Sequence, residues 1–303
     1  MNEEPASGGH PSVGVPRVSY VNPEDPLLRR LAIGLVELFS GQPRLQRLYG
    51  EHRATAGPDD SFWAAAVKKL RLAVDGDVSR LGPVPRSGPL LVIANHPFGV
   101  VDGLLASYLV GLVRPDFKLM AHEVIGRVPE VQANLLPIAF DGSKRARLLN
   151  IASCRRALGH LKAGGTLIIF PAGRVSTALR VFDKATDAPW KAFVATLIGS
   201  ARPSVLPLYF EGQNGWLFHA GAKFGEAARE ALLMREVTRR IGARIPLRIG
   251  SPLTYESLSG FADRQSLLDH LRAVTYGLAD APPPQDDGRD VGLEELAEGY
   301  GLV

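Results

Sequence analysis

Two short clusters in this 303-residue chain carry side chains able to move a proton and hold an anion. The first is Ala94-Asn95-His96-Pro97-Phe98-Gly99-Val100-Val101-Asp102-Gly103. A carboxylate on one imidazole nitrogen fixes the tautomer and leaves the other nitrogen free to take a proton from a hydroxyl or an amine. Pro97 stops an extended run and Gly99 permits a sharp turn, so Asp102 at the start of a following helix can return to His96. The competing use of Asp102 is as a helix cap through backbone amides, with His96 a satisfied turn residue. The second cluster is Thr166-Leu167-Ile168-Ile169-Phe170-Pro171-Ala172-Gly173-Arg174-Val175-Ser176. Here Gly173 lets backbone N–H groups approach a ligand, and Arg174 offers a planar fork of donors suited to phosphate or carboxylate. The plainer reading of Arg174 is a solvated loop side chain.

Both clusters require a strand that ends and a turn that opens. Leu90–Ala94, Asn134–Phe140, Thr166–Phe170, Val205–Phe210 and Ile245–Ile249 are apolar runs of strand length, with Phe117–Met120 a shorter one. Helical patterns separate most of them, over Val101–Val113, Ala146–Lys162, Trp190–Ala201, Glu226–Ile241 and Arg264–Leu278. This alternation predicts one α/β domain over residues 60–279, with a mostly parallel central sheet flanked by helices. In such sheets ligands bind beyond the carboxyl ends of strands, where both clusters fall. Ahead of the domain, residues 26–59 form an amphipathic helical segment, its leucines between Pro26 and Leu48 broken near Gly41 and Pro43. A further amphipathic helix is predicted from Ser61 to Val74, capped by Asp60 or Ser61, with a basic polar side that suits a protein core or a membrane surface. Residues 1–25 read as a poorly ordered lead and 280–303 as an acidic tail after Pro282-Pro283-Pro284.

Composition excludes several classes. With 46% hydrophobic and 22% charged residues the chain is globular, and its single cysteine, Cys154, forms no internal disulfide or multi-cysteine metal site. None of the lysines precedes Ser or Thr as a phosphate loop requires, and no Gly-x-Gly-x-x-Gly opens a helix after a strand. No His or Cys pair has metal-ligand spacing, so no metal is expected. The longest apolar run, Leu104–Val113, is too short to span a bilayer, and the first residues lack the basic start and apolar stretch of a signal peptide. Net charge is +4, but residues 1–26 hold one arginine against four acids and 280–303 one against seven. The strongly basic remainder favours acidic partners such as anionic lipid or an acidic carrier protein.

Taken together, the clusters resemble the glycerolipid acyltransferases, the group that includes lysophosphatidic acid acyltransferases. Asn95-His96 with Asp102, followed by Phe170-Pro171-x-Gly173, matches the order of the first and third sequence blocks of that family. Val205-Leu206-Pro207-Leu208 resembles its fourth block, and Leu119 to Pro137 occupies the place of the second, with Gly126-Arg127 a faint trace of its pattern. The resemblance covers residues 60–255. Five residues separate His96 from Asp102 where the family usually has four, a form found in its hemolysin-like bacterial branch. In the third block Ala172 replaces a glutamate, and the arginine stands one position early, at Arg174.

The resemblance implies that His96, oriented by Asp102, deprotonates a lysolipid hydroxyl that attacks a fatty acyl thioester. Acyl-CoA or acyl carrier protein would be the donor co-substrate, with no other cofactor. Asn95, Gly99, Phe170, Pro171, Gly173, Arg174, Ser176 and Pro207 would bind substrate. Backbone amides near Gly173 or at the start of the helix after Asp102 would hold the oxyanion. The expected partners are a lysolipid acceptor, an acyl thioester and a membrane touched peripherally at its cytoplasmic face, and no nucleic acid. Two alternatives stay open: a thioesterase or esterase using the same pair on water, although no Gly-x-Ser-x-Gly elbow is present, and a lipid-binding scaffold without turnover. His122, His219 and Cys154 are weaker candidates, and Glu211, Gln213 and Asn214 are polar residues past a strand end without an assigned role.

Overall fold

The computed structural model describes residues 41–280 apart from 56, 58–60, 179, 181 and 222–225. The expected lead, the helical piece expected after Pro26 and the acidic tail beyond Asp280 lie outside the described residues. The first described helix is α1, Gln42–Thr55. The expected break at Gly41 and Pro43 is its start, because a first-turn proline gives up only an amide that has no helical partner.

α2 runs Phe62–Lys69, with the Ser61 hydroxyl accepting from the Ala64 amide, and buries Trp63 and Val67. It stops five residues before the predicted end at Val74. Leu70 caps it, Arg71 adopts a left-handed backbone at φ 49°, and Ala73–Asp75 becomes strand β1. A non-glycine residue in that conformation carries no sequence signal for a stop.

The remaining elements follow the predicted alternation: β2 Leu90–Ala94, α3 Val100–Val113, β3 Phe117–His122, β4 Leu135–Ile138, α4 Lys144–Lys162, β5 Thr166–Ile169, α5 Phe193–Ala201 and β6 Ser204–Phe210. After β6 come α6 Trp216–Gly221, α7 Glu226–Arg239, β7 Arg244–Ile249, α8 Tyr255–Leu258 and α9 Arg264–Gly277. The short α6 and α8 were not expected.

The seven strands form one sheet in the order β1-β7-β6-β2-β5-β3-β4. β2 through β6 run parallel to one another, while β7 pairs antiparallel with β6 and parallel with β1. This is the mostly parallel α/β architecture expected, with one reversal at the β6–β7 seam. Alternate side chains of the central strands feed two cores. Val92, Ile168 and Leu206 face α2 and α3, whereas Leu91, Ile93, Leu167 and Val205 face α4, α5 and α9. Burial on both faces accounts for the unbroken apolar runs of β2 and β5. The parallel strands end along one edge of the sheet, which therefore gathers the loops after β2, β3, β4 and β5.

Candidate active site

Asn95 closes β2. Its side-chain amide donates to the Phe210 carbonyl (2.8 Å) and its Oδ1 accepts from the Phe210 amide (2.7 Å), pinning this strand end to β6. The chain then turns through Gly99, whose φ of 78° and close approach to Leu233 leave no room for a side chain. α3 begins at Val100 and brings Asp102, fully buried, back under the turn. Asp102 Oδ2 accepts three hydrogen bonds, from His96 Nδ1 (3.0 Å) and from the amides of Phe98 and Gly99 (2.9 Å each). An oxygen that accepts two amides holds no proton of its own, so the proton between the pair sits on Nδ1 and leaves Nε2 as the acceptor. Burial pushes the Asp102 pKa above the usual carboxylate value, against the pull of His96 and the two amides.

His96 is fixed on its other sides as well. The Phe170 ring stacks on the imidazole with centroids 3.9 Å apart and planes inclined by 22°. The His96 carbonyl accepts from the Ser176 amide (2.8 Å), and the His96 amide donates to Asp187 Oδ1 (3.2 Å). Asp187 also accepts from the Ser176 hydroxyl and from Trp190 Nε1 (3.0 Å). α7 closes the back of the loop, where the Arg240 guanidinium lies 4.2 Å over the Phe98 ring and pairs with the buried Glu236. Burial pushes the Glu236 pKa up, but the Gly215 amide and Arg240 outweigh it and hold the carboxyl below its ordinary value.

His96 lies on the wall of a cavity of about 490 Å3 whose lining comes from α1, α2, α3, β3 and α7, with Leu48, Trp63, Leu104, Met120 and Met234 among the side chains. That volume is in the range of small-molecule sites, and the wall is of the apolar kind that holds a hydrocarbon chain. Among the described residues no Asp or Glu lines it, and its charged groups are Lys69, Arg174 and Lys191.

The predicted site residues divide into two sets. Gly99, Phe170, Pro171, Gly173 and Arg174 line the cavity with His96. Asn95, Ser176 and Pro207 stand away from it: Asn95 is consumed by the Phe210 backbone, Ser176 by Asp187, and Pro207 pairs with Ile93 inside the sheet. These three build the frame of the site and are not among the side chains that line the cavity. Arg174 is exposed at the rim without a side-chain partner among the described residues, while Val175 turns inward against Phe218 and Leu233. Val175 also borders the cavity, so the arginine, one position early, lies on the same wall. The Gly173 amide donates to the Phe170 carbonyl (2.9 Å) and is not available to a ligand.

Two residues escaped the sequence reading. Asp187 joins His96, Ser176 and Trp190, yet nothing in its local sequence marks it. Lys191 was absorbed into a helix expected from Trp190, whereas α5 starts at Phe193. Its amide donates to the Pro171 carbonyl (2.9 Å), and its side chain runs beside Gly173. Among the weaker candidates, His122 and Cys154 line the cavity, and burial pushes the Cys154 thiol pKa up, which makes it a poor nucleophile. His219 is buried off the cavity wall, accepting from the Ala178 amide, and burial holds its pKa down.

An imidazole backed by a buried carboxylate thus stands on the wall of an apolar cavity at the carboxyl edge of a parallel sheet. Residues 58–282 match the family model described as acyltransferase, and the chain belongs to that family. It is similar to a lyso-glycine lipid O-acyltransferase from Phocaeicola vulgatus, at 23% identity over 82% of this chain and 88% of the relative. A protein of the same name from Bacteroides thetaiotaomicron is 19% identical over 82% of this chain and 90% of its own. Among solved structures, the 1-acyl-sn-glycerophosphate acyltransferase PlsC from Thermotoga maritima aligns over 83% of this chain and 97% of its own, with 18% identity and a TM-score of 0.48.

Proposed function

We propose that this acyltransferase moves a fatty acyl group from an acyl thioester, carried by CoA or acyl carrier protein, to the hydroxyl of a lysolipid. The observation that carries the reading is the placement of His96: Asp102 holds Nδ1 while the ring stands on the wall of an apolar cavity. Nε2 takes the proton of the acceptor hydroxyl as its oxygen bonds to the thioester carbon. The tetrahedral intermediate then expels the thiolate, which recovers the proton from His96. Asp102 stabilises the transient imidazolium. The first-turn amides of α3 have no helical acceptors, and Val100 lines the cavity, so this helix start is the oxyanion site the geometry favours over Gly173.

The acceptor carries an anionic head. Arg174 and Lys191 flank the turn after β5, and among the described residues no carboxylate on the wall neutralises them. A lipid built on glycine through its amine ends in a carboxylate, which fits this pair and agrees with the names of the two bacterial relatives. The test is purified protein with a labelled acyl thioester and lysolipids bearing carboxylate, phosphate or zwitterionic heads. Doubly acylated product from the anionic acceptors is the expected outcome. Free fatty acid alone would make the protein a thioesterase, and turnover of neither kind would make it a lipid-binding protein.

A further inference from the structure

Helix α4 carries Lys144, Arg145, Arg147, Arg155, Arg156 and Lys162 and no acidic residue. Arg145 pairs with Glu123 and Asp141. The other five have no partner among the described residues. One face of the helix, Ala146, Ser153, Ala157 and Leu161, is buried against the sheet and α5. The opposite face exposes Leu148 by 60% and Ile151 by 49%. With Lys144 and Arg155 they follow the spacing of a single helical stripe.

A third large apolar side chain belongs to this patch. Phe140, 44% exposed, lies just past β4. The Ala139 amide donates to Asn150 Oδ1 (2.9 Å) and the Asn150 amide donates back to the Ala139 carbonyl (2.8 Å), so the segment bearing Phe140 is stapled to the helix between Leu148 and Ile151. Phe140, Asn150 and Cys154 also line the cavity that holds His96. The patch therefore reaches the wall of the site.

We infer that the outer face of α4 from Lys144 to Arg155, with Phe140, is a docking face for a bilayer rich in anionic phospholipid. Three exposed apolar side chains are too few for the core of a stable protein interface, which buries roughly 800 Å2 on each partner. They suit shallow insertion at the headgroup boundary, where long basic side chains reach the phosphate layer with their charge while their stems stay apolar. Among the described residues no helix is long and apolar enough to cross a membrane. Docking by this face sets the cavity wall against the surface from which an amphiphile comes, and only this last point rests on the function proposed above.

The test is co-sedimentation of the full chain with vesicles of phosphatidylcholine alone or mixed with phosphatidylglycerol, at low and high salt. Strong binding to the mixed vesicles, weakened by salt, is expected for the wild type. The triple variant Lys144→Ser, Arg147→Ser, Arg155→Ser should lose about 100-fold in partitioning at low salt, and the double variant Leu148→Ser, Ile151→Ser about tenfold. All five positions are on the outer face, so the fold should survive, and acyl transfer to detergent-dispersed lysolipid should stay within about twofold of wild type while transfer to vesicle-borne lysolipid drops. Unchanged vesicle binding in both variants would overturn the inference, and so would a shift in oligomeric state with vesicle binding intact, which would make the face an interface between copies. Absence of acyl transfer in every assay would strike the proposed function and leave the vesicle result standing.

Discussion

Asp102→Asn separates catalysis from capping. Asn and Asp cap amides about equally well. The asparagine oxygen can take the place of Oδ2 and keep the bonds from Phe98 and Gly99, so the turn is preserved. What disappears is the negative charge 3.0 Å from the imidazole. At an effective dielectric of about 20 that attraction has a ceiling of about 5.5 kcal/mol for the imidazolium formed in the transition state. General-base assistance is worth roughly 10²–10⁴-fold, which sits under this ceiling. Stability should move far less. Because the folded pKa of Asp102 lies above its ordinary value, the fold retains a proton that the unfolded chain has already released, and stability falls as pH rises through that interval. Asparagine removes this penalty, but it places an amide where Oδ1 has no partner among the described residues, a cost of about 1–3 kcal/mol. The two effects oppose each other. The assay is kcat with a labelled acyl thioester beside thermal denaturation of the same preparation. A variant that folds like wild type and keeps its kcat within tenfold would refute the general-base pair and leave Asp102 as a cap.

Three further outcomes follow from the same geometry. Asn95→Ala should cost about 2–5 kcal/mol in chemical denaturation, since it strips partners from two buried groups of Phe210, while the acceptor KM of the folded fraction stays unchanged. Arg174→Ala and Lys191→Ala should each raise the KM for an anionic acceptor about tenfold with little change in donor KM; equal effects on both substrates would remove the anion site. His219 refuses a proton that the unfolded chain accepts below about pH 6.5, so stability should fall as pH drops from there toward its depressed folded value. His219→Gln should flatten that slope in denaturation curves taken between about pH 7 and pH 5.

The parts of the fold that were legible are those where burial dictates composition. β2 and β5 are apolar along their length because helices cover both faces of the sheet. β1 was not legible. Three half-buried residues beside β7 leave no periodic trace, and the stop that frees them from α2 is a left-handed Arg71, a conformation most arginines do not adopt. The reversal at β7 is equally silent, because Arg244–Ile249 reads as an alternating strand whichever way it runs.

For the site, sequence exposed what the turn needs and concealed what the frame needs. His96, Gly99 and Asp102 lie in one loop, so their joint geometry follows from local chain reversal. Asp187 acts on that loop from 91 positions away, through one oxygen that accepts from the His96 amide. No local pattern encodes such a contact, since it exists only after β5 and β2 have paired and the two turns have come together. The same condition sets Asn95 and Ser176 apart from the cavity. Their neighbours in sequence line it, but their polar groups are spent on partners that folding delivers: Phe210 from β6 and Asp187 from the segment before α5. Each leaves the cavity wall for that reason. A polar side chain of the motif is therefore open to a ligand only where the folded chain has not already claimed its hydrogen bonds, and by that criterion Arg174, exposed and without a side-chain partner among the described residues, is the one of its turn still open.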